Sequence, residues 1–178
     1  MLAREKMEAK NRKPNRLSGF DYSQTGAYFI TICTKDRQCI LSQITDGEKK
    51  YDENVGEGLR ALPQVKLSDI GKKVEQSILF IETTYGCYRV ARYVIMPNHI
   101  HLLITKSHPA GGHGDPPLQD VIGRLKSYTT KQYGSVLWQR SFYDHIIRNE
   151  HDYTEHLQYI DQNPTKWLLG KDEYYCWK

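Results

Sequence analysis

Nowhere in this chain does an apolar run approach the roughly 20 residues that a bilayer-spanning helix needs. The opening stretch MLAREKMEAKNRKPNR also has no apolar core of the kind a secretory leader carries. Membrane integration is therefore not expected, and the chain reads as cytoplasmic. Cysteine is sparse. Cys33, Cys39, Cys87 and Cys176 make no CxxC pair and no zinc-knuckle spacing, which argues against a disulfide framework or a structural zinc site and for reduced, mostly buried thiols. Internal repeats and low-complexity tracts are absent. Beyond residue 16 the chain has no net formal charge: Arg4, Lys6, Lys10, Arg12, Lys13 and Arg16 against Glu5 and Glu8 give the first 16 residues the whole +4 of the protein. A basic arm on a neutral body suits attraction to a phosphate backbone, and a solvated terminus reads the same way.

What is present is enough for one core. With 178 residues, 39% hydrophobic and 26% charged, the chain reads as an arm over 1–20 and a single domain over 21–178, with loops at 46–64 and 106–117. GAYFITICT, residues 26–34, is aromatic and β-branched and reads as a strand, with Lys35-Asp36-Arg37 as a turn and 38–44 as its hairpin partner. Ser68 caps a helix running to about Thr84, its apolar spacing set by Ile70, Val74, Ile78 and Ile81 with Leu79 and Phe80. Strands follow at 87–96 and 99–105, broken by Pro97-Asn98. His108 and His113 fall in the Gly/Pro-rich loop after them and read as solvated. Leu118 to Tyr133 is a second amphipathic helix, and a short irregular stretch holds Trp138, Phe142 and Tyr143. A third helix spans His151 to Gln162, stopped by Asn163-Pro164, and the aromatic tail (Trp167, Tyr174, Tyr175, Trp177) packs onto the body or onto a second copy. This order predicts an α+β fold: a ferredoxin-like single antiparallel sheet with helices on one face, plus an extra C-terminal helix.

Two places carry chemistry. In YVIMPNHIHLLIT, residues 93–105, His99 and His101 stand two apart on a strand, so both imidazoles project from one face, as a pair of metal ligands would. Two ordinary histidines, one at a turn and one bonded to a carbonyl, are the bland alternative. Tyr159 and Asn163 stand four apart at the end of the third helix and share a face. Together the four residues suggest a divalent ion held by two imidazoles and an amide oxygen, with a phenol placed to attack a phosphodiester and form a phosphotyrosine. A core tyrosine and a helix terminator are the competing readings.

The chain resembles the single-tyrosine HUH transposases, and among them most the REP-associated tyrosine transposase branch. The matching stretches are GFDYSQTGAYFITICT, YVIMPNHIHLLI and LWQRSFYDHIIRNEHDYTEHLQYIDQNPTKW, in that order along the chain. The resemblance implies a metal-dependent (Mg²⁺ or Mn²⁺) endonuclease and strand transferase on single-stranded DNA. His99 and His101 would be the metal ligands and Tyr159 the nucleophile, on the extra C-terminal helix. Asn163 falls where a related branch uses glutamine as third ligand. Tyr128 and Tyr133 are rival nucleophiles by type but lie outside the YIDQNP context.

The resemblance further implies recognition of imperfect DNA hairpins and a short neighbouring tetranucleotide. Candidate contacts are Arg12, Lys13 and Arg16, then Arg124 and Lys126, then Trp138, Gln139, Arg140, His145 and Arg148. Arg and Gln read base edges, Lys reads phosphates, and an indole stacks on unpaired bases. A homodimer is left open as a partner. The rival functional class is a catalytically silent nucleic-acid-binding module of the same fold. An unrelated zinc hydrolase is disfavoured by the lack of a third histidine or a carboxylate near the pair.

Overall fold

The computed structural model describes residues 21–47, 62–107, 115–172 and 174. The basic arm, His108, His113, Tyr175, Cys176, Trp177 and most of the 46–64 excursion lie outside the described residues. The elements in chain order are β1 (Gly26–Cys33), a 3-10 turn (Lys35–Arg37), β2 (Ser42–Thr45), β3 (Gln64–Leu67), α1 (Asp69–Thr84), β4 (Tyr88–Ile95), β5 (His99–Lys106), α2 (Leu118–Tyr133), β6 (Tyr143–Ile147) and α3 (Glu150–Leu168).

Four strands form one sheet in the order β4-β5-β1-β6, every neighbouring pair antiparallel. With α1 before β4 and α2 before β6, this is the βαββαβ arrangement of a ferredoxin-like fold, and α3 is the addition. β1 and β5 are the inner strands, and nearly every residue of β5 is buried. Their alternation divides the sheet into two faces. Tyr28, Ile30, Ile32, Ile100, Leu102 and Ile104 pack with Val74, Ile78 and Ile81 of α1 and with Leu118, Val121, Ile122 and Leu125 of α2. Val94 and Leu103 turn the other way, with Phe29, and meet Tyr153, Leu157, Ile160 and Trp167 of α3. Each fully buried Ile or Leu contributes about 1.5–3 kcal/mol, so both faces hold substantial apolar stabilisation.

Local chemistry sets the helix ends. The Ser68 hydroxyl accepts from Gly71 N–H at 3.1 Å and donates to the Ile40 and Leu41 carbonyls, so the cap of α1 also seats it on the segment before β2. Gly71 is needed there, because a Cβ at that position would stand 2.0 Å from the Leu41 carbonyl oxygen. α2 ends at Gly134, whose φ of 81° closes the helix in the left-handed region. Leu79 and Phe80, counted with the apolar spacing of α1, are exposed, and the inward stripe is Val74, Ile78 and Ile81.

Three expectations are corrected. Segment 38–44 does not pair with β1; β2 pairs with β3 instead, because β5 and β6 occupy both edges of β1. The fourth strand of the sheet is β6, in what reads as an irregular stretch. It is an edge strand whose half-exposed residues leave no clear alternation. Asn163-Pro164 does not stop α3, which runs on to Leu168 with Pro164 inside it. The missing N–H leaves the Ile160 carbonyl without its usual helical donor, a cost borne because Trp167 beyond the proline packs with Ile160 on the sheet.

Candidate active site

Backbone geometry places the histidine pair before any side chain acts. Pro97 and Asn98 form the tip of the β4–β5 hairpin, closed by Met96 N–H donating to the His99 carbonyl at 2.9 Å. Leu41 N–H donates to the Pro97 carbonyl and Thr34 N–H to the Asn98 carbonyl, both at 2.9 Å, so the tip is held from two sides. β5 then starts in a set register, with His99 opposite Cys33 and His101 opposite Thr31. Both imidazoles project from the α3 face, fully buried, with ring centroids 4.6 Å apart.

Their protonation follows from the partners of Nδ1. Asn98 donates through Nδ2 to the Tyr174 carbonyl at 2.8 Å, so its Oδ1 is what faces His99 Nδ1, at 2.7 Å. An amide oxygen only accepts; His99 therefore carries its proton on Nδ1 and keeps the lone pair on Nε2. His101 Nδ1 lies 2.8 Å from the Thr31 hydroxyl, an arrangement that likewise leaves Nε2 for another partner. Burial holds His99 down to a pKa of about 3, against an upward pull from the Asn163 carboxamide and with a further depression from the Arg37 charge. Burial, then the His99 and His156 charges, hold His101 well below its ordinary value. Both rings are neutral at physiological pH.

α3 brings the other two residues. Tyr159 presents its ring edge to His101 at 5.1 Å between centroids, and Phe29 lies against both, 5.1 Å from His101 and 5.7 Å from Tyr159. Asn163, one turn on, is fully buried. Its carboxamide is near enough to His99 to influence its proton, but no hydrogen bond of acceptable geometry joins them. Among the described residues, His99 Nε2, His101 Nε2 and both polar atoms of the Asn163 side chain are buried with no hydrogen-bond partner. Each such atom costs about 1–3 kcal/mol, and so many gathered at one spot mark a place meant to hold something else.

Sequence reasoning missed several neighbours of the pair. Asn98 and Thr31 orient the rings; both were findable, Asn98 from its place beside His99 and Thr31 once the strand register is known. Asp172, beyond α3, sets a carboxylate oxygen 4.0 Å from His99 Nε2, and the Tyr174 ring lies 4.6 Å from the His99 ring with the Arg37 guanidinium on it at 5.3 Å. Nothing local signals these, since they reach the pair through the tertiary path of the chain. Lys166, two turns past Tyr159, holds its ammonium 4.7 Å from the centre of the Tyr159 ring.

The remaining candidates lie elsewhere. Tyr128 and Tyr133 are exposed on α2, across the sheet from the histidines. Arg124, also on α2, donates to the Tyr85 hydroxyl at 3.2 Å. Lys126 donates to the Gln139 carbonyl at 2.8 Å and to the Arg140 carbonyl at 3.1 Å, bracing the turn before β6. Trp138 is 4% exposed, its indole N–H bonded to the Thr129 hydroxyl, so in this conformation its ring is a core element and offers no face to a base. Arg140 and Arg148 are exposed, Gln139 is half-buried, and His145 turns its ring to Asp152. Arg12, Lys13 and Arg16 lie outside the described residues.

No protein-family model matches the chain. An uncharacterized protein of Haemophilus influenzae is 30% identical over 178 residues, covering 88% of this chain and 90% of that one. A second protein of the same organism, provisionally named a REP-associated tyrosine transposase, is 27% identical over 161 residues, or 82% of this chain and 74% of that one. The REP-associated tyrosine transposase of Escherichia coli K12 is 31% identical over 80 residues, 44% and 46% of the two chains. Among solved structures, a REP-associated tyrosine transposase bound to a REP hairpin superposes with a TM-score of 0.56 at 20% identity, covering 87% of this chain and 74% of that one, a likeness of fold. With a His-x-His pair, a facing tyrosine and these relatives, the chain is similar to the REP-associated tyrosine transposases and shares their fold.

Proposed function

We propose that this protein nicks and rejoins single-stranded DNA at hairpins, as a transposase working through a covalent phosphotyrosine on Tyr159. The observation that carries the reading is the convergence of His99 Nε2, His101 Nε2 and the Asn163 carboxamide, buried and without hydrogen-bond partners among the described residues, beside the Tyr159 ring. That donor set fits a divalent cation: two neutral imidazoles, that of His99 with its lone pair on Nε2, an amide oxygen, and the Asp172 carboxylate close by. Mg²⁺ is the expected ion in the cell, and Mn²⁺ is expected to bind more tightly to two imidazoles. When bound, the ion supplies Lewis-acid polarisation of the scissile phosphodiester.

The chain's own groups do the rest. Tyr159 contributes the attacking oxygen: a bond forms from the phenolic oxygen to phosphorus, the bond from phosphorus to one deoxyribose oxygen breaks, and that oxygen leaves as a hydroxyl. Attack by a DNA hydroxyl on the phosphotyrosine reverses the step and rejoins the strand. A phenol ionises near pH 10, and the Lys166 ammonium over the ring favours the phenolate. Asn98 holds His99 in the tautomer the donor set requires, and the Thr31 hydroxyl, which can donate or accept, orients the His101 ring. Arg140, Arg148, Gln139 and Arg124 are the exposed or half-exposed candidates for DNA contact, with Lys126 bracing their turn and the arm residues Arg12, Lys13 and Arg16 adding phosphate attraction. The partner is a single-stranded DNA hairpin of the kind held by the structural relative.

The test is incubation of the full chain with end-labelled single-stranded hairpin DNA and Mn²⁺, followed by denaturing electrophoresis. A labelled protein band that disappears in Tyr159→Phe, while hairpin binding persists, is the expected result. Nicking with no adduct would mean that water attacks instead. Binding with neither nicking nor adduct would return the chain to the class of silent nucleic-acid-binding modules.

A further inference from the structure

A second cluster of ligand-type side chains lies on the same face of the sheet, apart from the histidine pair. His145 on β6 brings Nε2 within 2.9 Å of both carboxylate oxygens of Asp152, in the first turn of α3. One turn on, His156 brings Nδ1 within 3.1 Å of Asp152 Oδ1. One ligand atom from each of the three residues falls within 4.8 Å of the other two. The two imidazole rings lie nearly parallel at 4.6 Å, 17° between planes. Phe29 separates the cluster from the first site, its ring 4.6 Å from His156 and 5.1 Å from His101.

We propose that His145, Asp152 and His156 form a second divalent-metal site, suited to a borderline transition ion of the Zn²⁺ class, and that the ion fastens α3 to β6. Ligands around such an ion, at about 2.0–2.2 Å from it, stand roughly 3–3.5 Å apart. The two Asp152–imidazole separations already have that size, so only the gap between the imidazoles must close. Two nitrogens and one carboxylate select Zn²⁺ over Mg²⁺, which prefers oxygen ligands throughout. The side chains of Asp152 and His156 are 16% and 22% exposed and that of His145 is 44% exposed, which gives an ion an open side where water completes its coordination. Two imidazoles aimed at one carboxylate also form a hydrogen-bonded trio without metal. His156 Nδ1 lies 2.8 Å from the Asp152 main-chain carbonyl, and Arg148 N–H donates to Asp152 Oδ2 at 2.9 Å. An ion displaces the imidazole protons but leaves the Arg148 bond in place.

The consequence concerns α3 as a whole. Tyr159 and Asn163 ride on this helix, and the cluster sits where the helix begins and the edge strand ends. Occupancy would add a metal link to the short connection and the hydrogen bonds that already join the two elements, and would restrain the helix without touching the reacting atoms. The inference does not depend on Tyr159 being the nucleophile.

The test uses the full chain stripped of metal by chelator and titrated with Co²⁺, read by its visible absorption, and with Zn²⁺, read by thermal midpoint. The expected result is one Co²⁺ equivalent retained in the His99→Ala/His101→Ala double variant and lost in His145→Ala/His156→Ala. Zn²⁺ should raise the midpoint of the first variant and leave the second unmoved. Absence of Co²⁺ binding in a folded His99→Ala/His101→Ala variant would overturn the proposal, as would retention of every equivalent in His145→Ala/His156→Ala. Should either variant fail to fold, the wild type decides through anomalous scattering from Zn²⁺-soaked crystals. A peak among the three side chains supports the site, and its absence refutes it.

Discussion

Asn98→Ala isolates the group that sets the tautomer of His99. In the native protein the Asn98 carboxamide receives His99 Nδ1–H and donates to the Tyr174 carbonyl, at 2.7 and 2.8 Å. Truncation leaves that N–H buried beside no acceptor, a loss of about 1–3 kcal/mol. The ring can escape part of the cost by moving its proton to Nε2, where the Asp172 carboxylate oxygen lies 4.0 Å away. A proton on Nε2 blocks the lone pair that faces Asn163. Removing an outer partner of this kind weakens metal binding by about 10–100-fold, or about 1.4–2.8 kcal/mol. Mn²⁺ titration followed by calorimetry should show that loss, and long-range proton–nitrogen NMR correlations of the metal-free protein should show the His99 proton moving from Nδ1 to Nε2. Asn98→Asp keeps an acceptor facing Nδ1, while it loses the donor to Tyr174 and buries a charge, so the His99 proton should stay on Nδ1 in that variant. Unchanged Mn²⁺ affinity in Asn98→Ala, or an NMR spectrum with the proton still on Nδ1, would refute the argument.

Gly71→Ala opposes two effects of known sign. Alanine gains about 1 kcal/mol of helix propensity, but its Cβ falls 2.0 Å from the Leu41 oxygen, and overpacking of this kind costs about 1–3 kcal/mol or more. The clash should win, lowering the thermal midpoint by about 2–8 °C, and because Leu41 N–H also holds Pro97, the Asn98 and His99 resonances should shift; a midpoint at or above wild type would show that α1 is not seated on that carbonyl. Lys166→Met should slow adduct formation about tenfold, or 1.4 kcal/mol of barrier, with hairpin binding little changed and most of the rate restored in Lys166→Arg. An adduct rate equal to wild type would remove the ammonium from the reaction.

The parts of the molecule that were legible beforehand are those determined by nearby residues. α2 reads off with both limits because its apolar stripe is bounded by Pro117 and Gly134. Ser68 announces α1, and the two-residue spacing of His99 and His101 is enough to put them on one face. Elements that depend on distant partners were not legible. β2 finds β3 across a long excursion, and β6 is an edge strand with little pattern of its own. Pro164 carries a local stop signal that the packing of Trp167 and Ile160 overrides. Trp138 has the look of a surface aromatic in WQRSF, yet its bridge to Thr34 and its bond to Thr129 draw it into the core. Asp172 and Tyr174 illustrate the same limit, since only the completed fold brings them to His99.

The two faces of the sheet have a consequence for how the protein can vary. Along β1 and β5, even-numbered positions such as 30, 32, 100 and 102 meet the α1–α2 layer, and odd-numbered positions such as 29, 31, 99 and 101 meet α3 and the site. Conservative apolar exchange at an even position alters stability and leaves the chemistry alone, whereas exchange at an odd one alters the surroundings of Tyr159 and the imidazoles. Parity along two strands thus separates two kinds of mutational tolerance. A single-residue insertion or deletion at the start of β5 would exchange the two sets of that strand, sending His99 and His101 into the α1–α2 layer and aliphatic residues into the site.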